Sequence, residues 1–245
     1  MKAAVLEGRG ALAYRDVPTP EPGPGEVLLR VHASSACGSD IHRFVRGHRT
    51  YPIILGHEAA GVITVAGPGA DPGLIGRHAA LIPLVPDHTC AECLAGRFSA
   101  CASYSFIGSR RAGAFAEYVA LPAANALVLP DDLPFEAAAL IEPSTVARHM
   151  LDLGSFAAGQ SAVVFGAGSI GLMLVQWLRI LARVSSSRAT SWTRTSTWRG
   201  RWAPTWPSTQ NGTTCRPACG SFSRRGSTSR SRRPGRRRRW RRRSR

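Results

Sequence analysis

The feature that most constrains this chain is a change of composition near residue 183. Residues 1–183 carry 14 basic and 15 acidic side chains, whereas residues 184–245 carry 18 Arg and no Lys, Asp or Glu. The second segment has no Ile or Leu, and only one Val and one Phe among its 62 residues. So little apolar side-chain volume cannot offset the entropy of ordering a backbone. Globular structure is therefore expected from residues 1–183, and a disordered basic tail from 184–245. No apolar run approaches the roughly 18 residues needed to cross a bilayer, so no membrane partner is expected. The opening MKAAVLEGRG lacks the apolar stretch of a secretory leader. Six Cys, three of them clustered, point to metal binding in a reducing cytoplasm rather than to a disulfide frame.

Short apolar runs broken by Gly and Pro predict strands over 3–6, 27–33, 61–65, 79–84, 116–121 and 126–129, joined by turn-rich segments such as PTPEPGPGE (18–26). Many short strands with such turns suggest a barrel or sandwich. Helical spacing takes over at 135–141 and 144–153, with Pro143 as a kink or restart. The run AVVF (162–165) then reads as a buried parallel strand, followed by GAGSIG (166–171) and an apolar helix.

Gly166, Gly168 and Gly171 have the G-x-G-x-x-G spacing in the strand–loop–helix context that a dinucleotide fingerprint requires. The first Gly permits the tight turn, the second admits a pyrophosphate, and the third lets helix and strand pack closely. A plain glycine-rich turn is the alternative. The acid that binds the ribose about 20 positions further on is missing. Cys90, Cys93 and Cys101 are three thiols at close spacing, and Asp87 offers a fourth, oxygen ligand for a structural zinc. Three reduced, unligated cysteines are the alternative. Cys37, His57, Glu58 and Glu142 form a more dispersed set; spacing alone leaves a shared zinc site and ordinary buried or solvated side chains both open.

Six motifs in order, CGSDIH (37–42), LGHEAAG (55–61), CAECLAGRFSAC (90–101), GAFAEY (113–118), IEP (141–143) and VVFGAGSIG (163–171), resemble the zinc-dependent medium-chain alcohol and polyol dehydrogenases. The resemblance spans about residues 1–183. Within the family, the run from 90 to 118 is most similar to galactitol-1-phosphate 5-dehydrogenases, with sorbitol and threonine dehydrogenases next. The resemblance implies a mixed β and α/β fold. A GroES-like β-barrel over 1–150 would carry a catalytic zinc, and 151–183 would be the first βα unit of a Rossmann domain for NAD or NADP. Cys37 and His57 match catalytic zinc ligands. Glu58 matches the carboxylate of the GHE motif, and Glu142 the polyol-branch carboxylate that binds the metal directly or through water. Asp40 would orient a ligand. Ser39 and His42 match positions that relay the substrate proton. Cys90, Cys93 and Cys101 match structural-zinc cysteines, with Asp87 standing where the first Cys normally does. The implied reaction moves a hydride from a secondary alcohol of a polyol or polyol phosphate to NAD(P)+. Arg110 and Arg111 are expected to be solvated loop charges.

The chain departs from this family after residue 183, where the remainder of a Rossmann domain is not legible. Loss of every acid, Lys, Ile and Leu, replaced by Arg, Ser, Thr, Pro and Trp, is what a GC-rich coding strand yields out of frame. Reading Trp202–Thr209 from the last base of the Trp202 codon, with G at each free wobble base, returns GADVAVD, a turn and strand of the kind this family has there. The expectation is a frame-shifted or truncated dehydrogenase of little activity, with a homo-oligomer expected only of a full-length chain. Two other readings stand beside it. One is a non-catalytic zinc-binding GroES-like fragment. The other is a nucleic-acid binder using 18 Arg and five Trp of the tail, although these match no specific nucleic-acid motif.

Overall fold

A computed structural model describes residues 1–157, 160 and 162–184; the tail expectation for 185–245 lies outside the described residues. The two longest strands are β3 (Glu26–Ser35) and β5 (Glu58–Ala66), which pair antiparallel. The strands β6 (His78–Leu81), β9 (Tyr118–Pro122) and β10 (Ala126–Val128) complete a five-stranded sheet in the order β10-β6-β5-β3-β9. Irregular register between Leu28 and Leu29 and between Val31 and Ala33 bends this sheet into a half-barrel. A second sheet sets β1 (Lys2–Gly8) between β2 (Ala11–Asp16) and β4 (Ile53–Ile54). A small pair, β7 (Leu84–Val85) and β8 (Ser105–Phe106), stands apart from both.

Alternation along the strands fills two cores. Leu29, Ala59, Ile63, Ala79, Val119 and Leu121 share one buried cluster, with Ile107 and Ala114 from the loops. Their chain neighbours Ala60 and Ala80 face the other way, against Ala138 and Ala139 of α3 (Phe135–Ala139). Small side chains on that face let the helix lie close.

All six expected strands of residues 1–130 are present. The run 79–84 divides, because Pro83 has no N–H to continue a ladder. Buried Asn125 takes over there, donating from Nδ2 to the carbonyls of Ile82 at 2.8 Å and Leu84 at 2.7 Å. Pro143 marks a restart and not a kink, since one helix ends at Ala139 and another begins at Ile141. It is the third residue of α4 (Ile141–Leu153), where its missing N–H is one the helix leaves unbonded anyway. Among the described residues the expected strand 162–165 shows a single bridge, at Val164. Val163 is 62% and Phe165 91% exposed, since a parallel strand of this kind is stabilised only by neighbours on both sides.

Arg111 is not a solvated charge. Its Nη2 lies 2.6 Å from Glu26 Oε1, tying the loop before β9 to the start of β3. Burial pushes the Glu26 carboxyl up, but the Arg111 guanidinium and the Gly23 N–H outweigh it and hold the pKa below the ordinary glutamate value. This contribution to stability is complete above pH 4.5 and is lost as pH falls through the lowered native value. Glu26→Gln is expected to flatten the acid limb of a stability–pH curve measured by urea titration. A second expectation concerns Gly61, whose added Cβ would meet the Arg30 carbonyl oxygen at 1.8 Å. Gly61→Ala should cost about 1–3 kcal/mol in the same assay, because β3 and β5 must separate to admit the methyl; an unchanged midpoint would contradict the observed register.

Candidate functional site

Cys37 lies just past the end of β3 and caps α1 (Gly38–Arg46). The Ser39 N–H donates to Cys37 Sγ at 3.4 Å, and the Cys37 N–H donates to Asp40 Oδ2 at 3.1 Å. This reciprocal cap fixes the thiol at the helix entrance. His57 and Glu58 lie where the chain enters β5, each 4% exposed. Register pairs Ser35 with Glu58, so the end of one strand delivers Cys37 beside the start of the other. The ligand atoms of Cys37, His57 and Glu58 all lie within 4.8 Å of one another. The motif at 113–118 buttresses this corner: the N–H groups of Gly113, Ala114 and Phe115 donate to the carbonyls of Ile54, Gly56 and Leu55 at 2.8–2.9 Å.

Asp40 Oδ1 approaches His57 Nδ1 at 3.5 Å, an ionic separation without hydrogen-bond geometry, and both atoms are buried without a hydrogen-bond partner. Burial disfavours a charged His57, but the carboxylates of Asp40, Glu142 and Glu58 outweigh it and raise the pKa. Glu142, in the first turn of α4, is pushed up by burial and by Glu58 and Asp40, against the pull of His57. It faces the cluster electrostatically but is not among the donors within 4.8 Å. A buried pocket of mutually repelling carboxylates, with a thiol and an imidazole, suits a divalent cation with nitrogen, oxygen and sulfur ligands.

The second set is closer-knit. Asp87, Cys90, Cys93 and Cys101 also present ligand atoms within 4.8 Å of one another. Tetrahedral zinc–thiolate bonds place sulfur atoms about 3.8 Å apart, so four such donors fit one ion. Cys90 precedes α2 (Ala91–Leu94), and Cys93 is on it. Backbone N–H groups of Cys90 and Thr89 donate to Asp87 Oδ1 at 3.0 and 2.9 Å, which holds the carboxylate well below its ordinary pKa. Burial, with Cys101, Cys90 and Asp87 beside it, pushes the Cys93 thiol up to about 12. The backbone N–H groups of Ala102 and Cys93 draw Cys90 down.

Ser39 Oγ accepts from Arg43 Nη1 at 2.8 Å, and His42 is exposed on the same helix. Arg43, four residues after Ser39, escaped the sequence reading because CGSDIH was not recognised as a helix. Ser35, whose hydroxyl donates to Glu58 Oε2, was also missed; only the strand register reveals it. Phe106 meets the His57 ring edge-on with centroids 5.5 Å apart, a contact with no sequence signal. In the glycine-rich loop, Gly166 has φ +97°, and a Cβ on Gly171 would meet the Gly166 carbonyl oxygen at 2.1 Å. A Cβ on Gly168 would meet nothing within 4 Å, leaving the approach to the start of α5 (Ser169–Val184) open.

The chain is expected to take up two zinc equivalents by elemental analysis. Asp87→Ala should release one of them more readily to a chelator. Asp87→Cys should retain it longer, because a fourth thiolate is the softer ligand. Equal chelation rates for all three proteins would remove Asp87 from the site.

The sequence matches the alcohol dehydrogenase GroES-like domain over residues 23–131. Galactitol 1-phosphate 5-dehydrogenase of Escherichia coli (strain K12) is 42% identical over 178 residues, which cover 72% of this chain and 51% of that protein. Sorbitol dehydrogenase of Bacillus subtilis (strain 168) is 35% identical over 181 residues, 71% of this chain and 51% of that one. The crystal structure of galactitol-1-phosphate dehydrogenase from Escherichia coli superimposes with a TM-score of 0.71 at 41% identity, covering 74% of this chain and 53% of that one. A zinc-binding dehydrogenase from Sinorhizobium meliloti 1021 bound to NADP gives a TM-score of 0.72 at 35% identity, covering 79% and 56%. The chain thus spans about half the length of the curated relatives it matches. With this half-barrel, these motifs and these relatives, residues 23–131 belong to the alcohol dehydrogenase GroES-like domain family, and the chain is similar to zinc-dependent alcohol and polyol dehydrogenases.

Proposed function

We propose that the chain derives from an oxidoreductase that moves a hydride from a secondary alcohol of a polyol or polyol phosphate to NAD(P)+. The observation that carries this reading is the convergence of Cys37, His57 and Glu58 at one buried corner, with Glu142 facing it. These side chains would hold a catalytic zinc, whose chemistry is to polarise a substrate alcohol and lower its pKa. Asp40 would act on His57 by charge across 3.5 Å, and Ser35 holds Glu58 from its strand partner. Ser39 Oγ, which accepts from Arg43, keeps its own proton available and would take the alcohol proton toward the exposed face of α1, where His42 lies. Gly166, Gly168 and Gly171 would bring the start of α5 against a dinucleotide pyrophosphate. Asp87, Cys90, Cys93 and Cys101 would hold a structural zinc.

Residues 184–245 offer no acid for a ribose hydroxyl, and we read them as out-of-frame sequence. Weak dinucleotide binding and little turnover follow for this chain. The exposure of Val163 and Phe165 favours the second reading, a zinc-binding GroES-like module without catalysis, for the chain in its present form.

Cys37→Ser and His57→Ala should each remove one zinc equivalent and leave the second, with the far-UV spectrum unchanged. Reading the DNA across codons 178–190, together with an intact mass, tests the frame. If a base was misread, the corrected chain is longer than 26.2 kDa and oxidises polyols or polyol phosphates in a Cys37-dependent manner. If the mass is 26.2 kDa and the zinc content of Cys37→Ser equals that of the parent, the dehydrogenase assignment of this corner fails.

A further inference from the structure

The neighbours Arg110 and Arg111 go to different places. Arg111 is neutralised by Glu26, whereas Arg110 has no carboxylate partner among the described residues. The Arg110 guanidinium is held instead over the Tyr104 ring, 3.9 Å from its centroid, and donates from Nη1 to the Tyr104 carbonyl at 2.7 Å. This anchorage fixes its position without cancelling its charge. Arg110 lines a polar cavity of about 420 Å3 with Arg43, Arg49, His48, Thr50 and Ser109. Among the described residues no acidic side chain lines the cavity. Arg49 has no ion pair among the described residues, and Arg43 meets a carboxylate only at 3.7 Å, through Asp40 Oδ1. Three guanidinium groups, the hydroxyl-bearing Thr50, Ser109 and Tyr104, and no acid among the described residues suit an anion. Guanidinium forks match the oxygens of a phosphate monoester, and hydroxyls complete its hydrogen bonds.

Arg43 belongs to this cavity and to the metal corner at once. The same Nη1 that approaches Asp40 donates to Ser39 Oγ, and Ser39 is bonded through its N–H to Cys37 Sγ. An anion in the cavity beside Arg43 and an alcohol at Cys37 and His57 would therefore be close enough to belong to one short polyol phosphate. We propose that this arginine-lined cavity is a phosphate subsite, which makes the substrate of the adjoining metal corner a phosphorylated polyol rather than a free one. The inference deepens the dehydrogenase reading and rests on it for the word substrate; the anion site itself stands on the cavity alone.

The test uses the full, zinc-loaded chain and two exposed substitutions, Arg49→Gln and Arg110→Gln, singly and together. Calorimetric titration with inorganic phosphate, galactitol 1-phosphate and galactitol reads affinity, and elemental analysis reads zinc in the same samples. Parent and variants share the same tail, so the difference between them isolates the cavity. The parent is expected to bind galactitol 1-phosphate more tightly than phosphate, and phosphate more tightly than galactitol. Each substitution should weaken both phosphate ligands about tenfold at unchanged zinc content. Identical phosphate affinities in the parent and the double variant would overturn the subsite. Binding of inorganic phosphate that depends on Arg49 and Arg110, without any preference for galactitol 1-phosphate, would overturn the substrate assignment. Loss of zinc at the Cys37 corner with arginine-dependent phosphate binding intact would sink the dehydrogenase reading while leaving the anion site standing.

Discussion

The antiparallel pairing of β3 with β5 is the constraint on which the rest depends. Two residues of slip would move Glu58 from Ser35 to a different partner and carry His57 away from Cys37. The register is held by the close contact at Gly61, by Ala59 and Ala60 packing on opposite faces, and by the Ser34 hydroxyl donating to the Glu58 carbonyl at 3.0 Å. The same pairing ends β3 where α1 begins, so one strand end supplies both the thiol and the helix whose cap orients it. The geometry of the candidate site is here a by-product of sheet register, with little demand on side-chain flexibility.

The cysteine lobe works differently. Its helix α2 has four residues, far too few to be stable alone, and Leu94 on it is exposed. Apolar burial there is limited to Cys93 and Cys101 themselves. Cohesion must come from the donors, and a bound ion would supply it as folding free energy. Two backbone N–H groups favour the ionised carboxylate of Asp87, so the one candidate ligand that departs from the pattern of the resembled family is already positioned by the backbone.

Local chemistry was legible in the sequence, and what depended on register or on distant partners was not. The strands at 3–6 and 126–129 announce themselves by apolar runs between turns, and the thiols at 90, 93 and 101 by spacing. Ala11–Asp16 was missed because it forms an edge strand whose residues stay largely exposed, so no alternation marks it. Ile53–Ile54 and Ser105–Phe106 are two residues each and exist only through their partners. The fates of Arg110 and Arg111 could not be separated by composition: one finds a carboxylate 85 residues away, and the other an aromatic ring six residues back.

The glycine-rich unit shows the same division at the level of a domain. Its loop geometry is local: the positive φ of Gly166 and the closeness of Gly171 to the Gly166 carbonyl need only those residues, and both are in place. The helix that follows is also largely self-sufficient, docking on α4 through Trp177, whose indole N–H donates to Ser144. The strand is not. An apolar run such as 162–165 is a strand only when parallel neighbours cover both edges, and among the described residues it has one bridge. Phe165 therefore projects into solvent beside the glycine-rich loop. A fingerprint can fold without the domain that gives it affinity, since pyrophosphate recognition uses the loop while ribose and nicotinamide recognition uses the sheet beyond it.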